Sequence, residues 1–342
     1  MVNSTNTYQA WIIREHGGDE KLSFQKMVKN PAPDDQVWVQ VHRVSLNHLD
    51  LWVRKGVPGH HFPLPIVPGC DIVGDHDGQL VLLQAAYGCG VCNFCKSDEA
   101  TLCRNFSVLG ESRDGGCAEW IAVPKRLLIP LKPTDNLQAM VTLPVAGVTA
   151  WRMLKKAAPK AGSWVFIRSA SSGVSSFAIP LAKRFGAHVV TTVRDPSRVE
   201  YAKKLGADLV IDLSRGSLRE QIKPILKSEG LRGFQVAIDH NGGQDFQETL
   251  SLLDWGGRIV LCGATAESAV QFDLKPIFFK SQSILGSTLG SRKDLEELVA
   301  MVRQGELHPI IDREFSLNEL PEAHRYLENR KTMGKVLICV SG

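Results

Sequence analysis

The sequence has no long hydrophobic run and no cluster of positive charge. These two absences argue against a membrane-spanning protein and against one that binds nucleic acid. No apolar stretch approaches the roughly 18 residues that a bilayer-spanning helix needs. The N-terminal segment MVNSTNTYQAWIIREHGG lacks a basic stretch followed by an apolar one, so it is unlike a secretory signal. The net charge of +4 is small and spread along the chain, which argues against nucleic-acid or membrane binding. We therefore expect a soluble, cytoplasmic protein.

The chain also lacks internal repeats and low-complexity segments. Its 44% hydrophobic and 22% charged residues are ordinary for a globular protein. A length of 342 residues favours about two domains.

Cysteine is scarce except in the segment YGCGVCNFCKSDEATLC, which has the spacing C-x2-C-x2-C-x7-C. In a cytoplasmic protein such a cluster indicates a metal site and not disulfides. Four thiolates suit tetrahedral zinc, and a closed shell leaves no position for a substrate. We therefore predict one structural zinc per chain, bound by Cys89, Cys92, Cys95 and Cys103. The remaining cysteines are predicted to be small buried hydrophobes: Cys70, Cys117, Cys262 and Cys339.

From residue 163 onward, short apolar runs alternate with amphipathic stretches. The pattern predicts strands at 163–168, 188–193, 207–212, 234–239, 257–263 and 283–288. It predicts helices at 173–186, 196–206, 216–228, 246–253 and 292–305. This βαβ series is typical of an α/β fold with a doubly wound parallel sheet. The first third instead has alternating strands, such as 36–46, and the last segment ends in a strand at 334–340.

The turn SASSGVSS (169–176) lies between the first strand of this series and the next helix. In that position, helix N-terminal N–H groups bind the pyrophosphate of a dinucleotide. Most of the usual glycines are missing, and serines stand where they are common. The position still predicts cofactor binding by Ser172, Gly173, Val174 and Ser175, and a serine-rich helix cap is the alternative.

The second strand lacks the acidic residue at its tip that binds the ribose 2′-OH of NAD. Val193 occupies the tip, and Arg194 and Arg198 follow. This pattern favours NADP(H) over NAD(H), with the arginines at the 2′-phosphate. Asp195 argues against NADP(H), because an acid near this tip could bind the ribose of NAD. The alternative is that Arg194 and Arg198 are ordinary solvated surface residues.

Cofactors of doubly wound sheets lie at the carboxyl ends of the strands. We therefore predict that Cys262, Gly263 and Gly286 contact the nicotinamide through their backbones. His240, which ends another strand, is predicted to line the same crevice.

The cysteine spacing is accompanied by AEWIAVP (118–124), LPVAGVTAWRML (143–154), GGRIVLCG (256–263) and GKVLI (334–338). Together these features resemble the medium-chain dehydrogenase/reductase superfamily along nearly the whole chain. The resemblance implies a GroES-like, mostly β catalytic domain at 1–131 and 308–342, with its zinc lobe at about 87–104. It implies a Rossmann domain at 132–307 and a homodimer paired through the last Rossmann strand, about 283–288.

Zinc-dependent members of this superfamily hold a second, catalytic metal. The resemblance puts its ligand positions at Asn47, at Cys70 and Asp71, and at Val145, and neither Asn nor Val is a zinc ligand there. The chain therefore looks closer to the quinone reductase-like branch, although it keeps the structural lobe. An altered site formed by Cys70 with Asp71, His48 or Asp50 is the alternative. The hairpin after PGCDIVG is also shorter than the family's, with only DHDGQ (75–79) before the next apolar run.

Without a catalytic metal, reducing an enone or quinone is easier than oxidising an alcohol, because a conjugated acceptor delocalises the developing charge. We therefore predict hydride transfer from NADPH to an activated C=C or C=O of a small molecule. The catalytic candidates are Asn47, His48 and Asp50. Their structural alternatives are Asn47 as a helix cap and Asp50 as the i,i+4 partner of Arg54.

Two other functions stay open from the sequence. One is a zinc-dependent alcohol dehydrogenase with an altered metal site. The other is a catalytically silent NADP(H)-binding protein, because fold-level likeness does not establish turnover.

Overall fold

The computed structural model describes residues 6–341, which divide into two compact units. The first unit takes in the chain up to Val148 and again from Ser291, and the second is Thr149–Gly290. The segments 132–148 and 291–307, which the resemblance assigned to the Rossmann domain, thus group with the first unit. Two arginines hold these segments in the first unit. Arg303 pairs with Asp135 at 2.7 Å and so joins the two segments to each other, and Arg292 donates to the carbonyl of Leu128 at 3.0 Å.

Strands dominate the first unit, whereas strands and helices alternate in the second. In chain order, the strands are β1 (Thr7–Ile13), β2 (Leu22–Val28), β3 (Gln36–Leu46), β4 (Asp71–His76), β5 (Gln79–Leu83), β6 (Ala86–Tyr87), β7 (Ser107–Val108), β8 (Trp120–Pro124), β9 (Leu128–Pro130), β10 (Trp164–Ile167), β11 (His188–Val193), β12 (Leu209–Asp212), β13 (Phe234–Asp239), β14 (Leu253–Leu261), β15 (Ser283–Gly286), β16 (Ile311–Ser316) and β17 (Lys335–Cys339). The helices are α1 (His48–Lys55), α2 (Asn93–Lys96), α3 (Leu137–Met140), α4 (Val148–Ala157), α5 (Gly173–Arg184), α6 (Val199–Lys204), α7 (Leu218–Ser228), α8 (Gly243–Ser251), α9 (Lys275–Phe279), α10 (Arg292–Arg303) and α11 (Leu320–Glu328).

The first unit is built on a mostly antiparallel sheet with the order β16-β17-β3-β4-β5-β9, and β8 pairs with the start of β3. Along β3, Val39 and Val41 are buried while Gln40 between them is exposed, so one face of the strand packs on the core. At the other end of β3, Leu46 pairs with Val336 of β17, and Ser45 pairs with Asp71 of β4. This register brings the ends of three strands together.

The shortened segment after β4 forms a tight hairpin with β5. Asp77 and Gly78 occupy the turn with φ angles of 51° and 81°. A two-residue turn of this kind needs both central residues in the left-handed region, where Asp-Gly is a favoured pair. The two strands therefore stay paired up to the turn, although this hairpin is shorter than the one that the resemblance implies.

The second unit confirms the predicted doubly wound parallel sheet, with the order β12-β11-β10-β13-β14-β15. The chain order reverses between β10 and β13, so the crevice expected for a cofactor lies at the carboxyl ends of these two strands. Several element boundaries differ from prediction by a few residues, most clearly at Leu253, which was expected at the end of a helix and instead begins β14 and pairs with Phe234. Strand pairing outweighs the local helical pattern there.

Among the helices that lie within residues 6–341, none is both long and apolar enough to cross a lipid bilayer.

Candidate active site and metal centre

The four clustered cysteines converge in the first unit. Their Sγ atoms all lie within 4.8 Å of one another, and Cys92 Sγ is 3.5 Å from Cys95 Sγ. Sulfur atoms around a tetrahedral zinc, at Zn–S distances of about 2.3 Å, are separated by about 3.8 Å. Gly88 packs against the cluster so closely that a Cβ there would lie 2.5 Å from Cys95 Sγ. The arrangement fits one four-thiolate metal ion.

Backbone N–H groups favour the thiolate form at two of these ligands. The N–H groups of Cys89 and Asn105 each point at Cys103 Sγ from 3.4 Å, and they lower the pKa of Cys103. Backbone N–H groups of Val91 and Cys92 lower the pKa of Cys89 to about 6. Desolvation raises the pKa of Cys95 to about 12, so a cation is needed before all four sulfurs can ionise.

The predicted catalytic segment begins with Asn47, which caps α1. The backbone N–H of Asn47 donates to Asp50 Oδ2 at 2.7 Å, and the Asn47 side chain faces the N–H of Asp50 in a capping box. The cap expected as the structural alternative is therefore present. Asp50 also accepts from the N–H of Gly69 at 2.9 Å. Asp50 is fully buried, and this desolvation raises its pKa to about 6.

The structural alternative for Asp50, an i,i+4 pair with Arg54, is not what the structure shows. Arg54 is fully buried and instead pairs with Glu328 of α11 at 3.0 Å. Asp50 turns toward Gly69 and Cys70 on the opposite side, with Cys70 Sγ 3.5 Å from Asp50 Oδ1. Backbone N–H groups of Asn47, at the start of α1, and of Gly69 take the place of the side chain one turn later as donors to the carboxylate.

The Asn47 amide meets two residues that the sequence analysis did not select as catalytic. Its Nδ2 donates to Asp71 Oδ2 at 2.9 Å, and its Oδ1 accepts from Lys335 Nζ at 2.5 Å. Lys335 Nζ also donates to the carbonyl of Leu46 at 2.8 Å and lies 3.3 Å from Asp71 Oδ2. All three side chains are buried, with 3% of Lys335 exposed. The Lys335 ammonium thus lies among the positions that the resemblance gave to catalytic metal ligands.

Burial sets the pKa values of the acidic groups in and beside this cluster. Burial raises the Asp71 pKa, and the Lys335 ammonium, the Asn47 amide and the backbone N–H of Val145 partly offset it. Burial raises the Cys70 pKa well above its ordinary value, so its thiol stays protonated. His48 begins α1 and is partly exposed, whereas Asn47 and Asp50 are buried. Of the three predicted catalytic residues, His48 has the easiest access to solvent.

The predicted phosphate-binding turn stands at the start of α5 in the second unit. Ser172 caps the helix, its Oγ accepting from the N–H of Ser175 at 3.0 Å. The first N–H groups of a helix have no intrahelical partner, so those of Gly173 and Val174 are donors for a ligand. Both residues are partly exposed. The geometry suits phosphate, and it equally shows the serine cap.

A buried hydrogen-bond network explains how serine replaces glycine in this turn. Ser175 Oγ donates to the carbonyl of Arg168 at 2.7 Å and lies 3.1 Å from His240 Nε2, which is also 2.9 Å from Ser172 Oγ. The hydroxyl of Ser175 is therefore turned inward, away from any bound phosphate. Desolvation lowers the pKa of His240 to about 4, so this ring is neutral near pH 7. His240 acts as a hydrogen-bond partner of the turn and not as an acid.

The two predicted arginines follow β11 at the carboxyl edge of the sheet. Arg198 donates to Ser171 Oγ at 2.6 Å, which ties it to the phosphate turn. The Arg194 side chain is 73% exposed and lies 3.4 Å from Asp245. Asp195 accepts from both the N–H and the hydroxyl of Ser197, at 3.0 Å and 2.8 Å, so its carboxylate is engaged locally.

A cavity of about 780 Å³ opens where the chain leaves β11, β12 and β13. Arg194 and Leu213 line it after the first two strands, and Gln244 and Asp245 line it after the third. The buried Arg168 supports its floor, with ion pairs to Asp245 at 2.8 Å and to Glu248 at 2.9 Å. The cavity is large enough for a nucleoside, and the exposed side chains of Arg194 and Arg219 both line it.

The three predicted nicotinamide contacts lie at the same edge of the sheet. Cys262 and Gly263 follow β14, and Gly286 ends β15, where its carbonyl accepts from Lys156 Nζ at 2.9 Å. Desolvation and the nearby Asp239 raise the Cys262 pKa to about 12, which leaves a neutral thiol. Parallel strand order alone is enough to bring these positions together.

A doubly wound parallel sheet with a serine-capped turn before α5, in one chain with a mostly antiparallel β unit, is typical of dinucleotide-dependent oxidoreductases of two domains. Residues 33–133 match the alcohol dehydrogenase GroES-like domain, and residues 173–304 match the zinc-binding dehydrogenase family. A zinc-type alcohol dehydrogenase-like protein from Schizosaccharomyces pombe is 29% identical, over 94% of this chain and 96% of that protein. A quinone oxidoreductase from Rattus norvegicus is 27% identical, over 99% of each.

A crystal structure of an NAD-dependent alcohol dehydrogenase gives a TM-score of 0.88 at 32% identity, covering 97% of this chain and 100% of that one. The chain belongs to the medium-chain dehydrogenase/reductase superfamily, and it is an oxidoreductase of that superfamily.

Proposed function

We propose that the protein is an NADPH-dependent reductase that transfers hydride to an activated C=C or C=O, of the enone or quinone type, without a catalytic metal. The observation that best supports this proposal is the buried Lys335 ammonium, which is 2.5 Å from Asn47 Oδ1 and 3.3 Å from Asp71 Oδ2. A cation is thus already supplied by the chain at the place where zinc-dependent relatives are expected to bind theirs.

Among the side chains around Lys335, only the Asp71 carboxylate is an ordinary zinc ligand. Asn47 offers an amide, Val145 offers no side-chain donor, and Cys70 holds its proton because burial raises its pKa. A second zinc would have to displace the Lys335 ammonium and ionise Cys70. Within residues 6–341, Cys89, Cys92, Cys95 and Cys103 form the one group of three or more metal-binding side chains with converging ligand atoms.

The residues near the cluster can still assist a reduction. A bound nicotinamide cofactor supplies the hydride, and a conjugated acceptor spreads the charge that develops on its oxygen. His48, partly exposed at the start of α1, is the proposed proton donor, directly or through one water. Asn47 and Asp50 are proposed to position α1, because their polar atoms are bonded to protein groups.

NADP(H) is the proposed cofactor, because Arg194 lines the nucleoside-sized cavity and the tip of β11 carries no acid. The solved relative described as NAD-dependent favours the other cofactor. We favour NADP(H), because Arg194 would have a partner in the 2′-phosphate, which NAD lacks.

The proposed function is tested by steady-state kinetics on a panel of enones, quinones, ketones and alcohols with each cofactor. We expect NADPH oxidation with enones or quinones and little alcohol oxidation. Arg194→Ala should raise KM for NADPH about tenfold or more and leave KM for NADH unchanged, because a charge-assisted bond is lost. Arg232→Ala, which removes an equally exposed arginine elsewhere in the unit, should change neither constant.

The other outcomes of this panel identify the alternatives. Alcohol oxidation that is lost with a second, easily stripped zinc indicates an alcohol dehydrogenase with an altered site. Cofactor binding with no turnover on any compound indicates a silent NADP(H)-binding protein.

We also propose a homodimer paired through β15. This strand is at one edge of the sheet, and large apolar side chains directly before it are exposed: Leu274 by 65%, Phe278 by 63% and Phe279 by 66%. Unpaired edges beside apolar patches are usually covered by a partner.

The dimer is tested by light scattering, which should give the mass of two chains for the wild type. The double variant Phe278→Asp/Phe279→Asp should give the mass of one chain. Phe94→Asp, at an exposed phenylalanine of the cysteine lobe, should stay dimeric; a monomeric wild type would refute the proposal.

A further inference from the structure

Two tryptophans frame a cavity of about 400 Å³ at the start of β3, at the opposite end of this strand from Lys335. Trp38 of β3 pairs with Ala122 and Gln40 pairs with Trp120, so the two indoles lie on the same face of the β3–β8 pair. The proposed reductase chemistry uses neither of them.

The shortened β4–β5 hairpin supplies the polar wall of this cavity. It contributes Asp75, His76 and Asp77, and the Asp77 side chain is 91% exposed. The turn is rigid, because Asp75 Oδ1 accepts from the N–H of Gly78 at 2.8 Å. The His76 ring is tied to the carbonyl of Trp38 at 3.1 Å, which fixes the hairpin beside the indole.

One cation of the chain already lies against this wall. Lys29 Nζ is 3.0 Å from the ring centroid of Trp120 and 5.5 Å from that of Trp38. Indole faces attract ammonium groups through their quadrupole, most strongly where water is excluded. Burial lowers the pKa of Lys29, which shows that holding a hydrated ammonium here has a desolvation cost.

The charges of the lining select the class of ligand. The lining holds two carboxylates, those of Asp75 and Asp77, and one lysine ammonium, so its charge favours cations over anions. We propose that it binds a small organic cation carrying a methylated ammonium, which replaces the Lys29 ammonium over Trp120. A methylated ammonium keeps its charge but has fewer N–H donors that need partners, so it suits aromatic walls better than lysine does.

The test is a calorimetric titration with choline and with tetramethylammonium at constant ionic strength. We expect saturable binding to the wild type. Lys29→Met should tighten it about tenfold by removing the internal competitor, and Trp120→Leu should weaken it about tenfold or more. Trp120→Phe keeps an aromatic ring for packing and should weaken it by a smaller factor. Trp255→Leu, at an exposed tryptophan of the other unit, should have no effect.

A neutral compound of the same shape, 3,3-dimethylbutan-1-ol, separates charge recognition from simple apolar burial. It should not bind measurably. The proposal is overturned if this alcohol binds as well as choline, or if neither the wild type nor Lys29→Met binds either ammonium. These outcomes are independent of reductase activity, which the panel above measures.

Discussion

Replacing Lys335 by methionine is expected to lower the free energy of unfolding by about 3–5 kcal/mol, the usual cost of stranding one member of a buried ion pair. The ammonium is 3% exposed in the fold and has three partners: Asp71, the Asn47 amide and the Leu46 carbonyl. Methionine keeps most of the side-chain volume, so the loss reports on charge and hydrogen bonding. Chemical denaturation measures the change.

Two further variants separate these contributions. Lys331→Met removes an exposed lysine of the same segment and should change stability by less than about 0.5 kcal/mol. Adding Asp71→Asn to Lys335→Met removes the stranded carboxylate and should restore part of the loss. If Lys335→Met costs no more than Lys331→Met, the ammonium is not the cation that holds this cluster together.

The second large effect is expected at the cysteine lobe. Cys103→Ser should release the metal, lowering zinc from one per chain to almost none, because serine is a poor zinc ligand. A structural zinc contributes on the order of 10 kcal/mol or more to ordering such a segment. Little apolar packing stabilises the lobe, because α2 is a single turn and the side chains of Val91, Phe94 and Leu102 are exposed. Elemental analysis gives the stoichiometry.

Limited trypsin digestion reports on the lobe itself, since Lys96 and Arg104 lie within or next to it. Both sites should become cleavable in Cys103→Ser and in the chelated wild type. Cys339→Ser, outside the cluster, should keep one zinc and stay resistant. Full zinc content in Cys103→Ser, or none in the wild type, would contradict the four-thiolate site.

The candidate site was predictable from sequence where its parts are close along the chain. The cysteine spacing predicted a cluster that the structure brings within 4.8 Å. Asn47 and Asp50, three residues apart, form the helix cap that was one of the interpretations of this segment. Arg54 shows the limit of local reasoning: a partner one helical turn away was the alternative that the sequence offered, but Arg54 pairs with Glu328 of α11, 274 residues further on.

The sequence by itself determined the α/β alternation, the cysteine spacing and the serine-rich turn before α5, because each depends on residues near one another in the chain. Only the tertiary structure decided that the Lys335 ammonium meets Asn47 and Asp71. Lys335 reaches Asp71 across 264 residues because β17 and β4 flank β3 in one sheet. Likewise, His240 joins Ser172 and Ser175 because β10 and β13 are neighbours at the switch point. Strand order is a property of the whole fold, and no local pattern carries it.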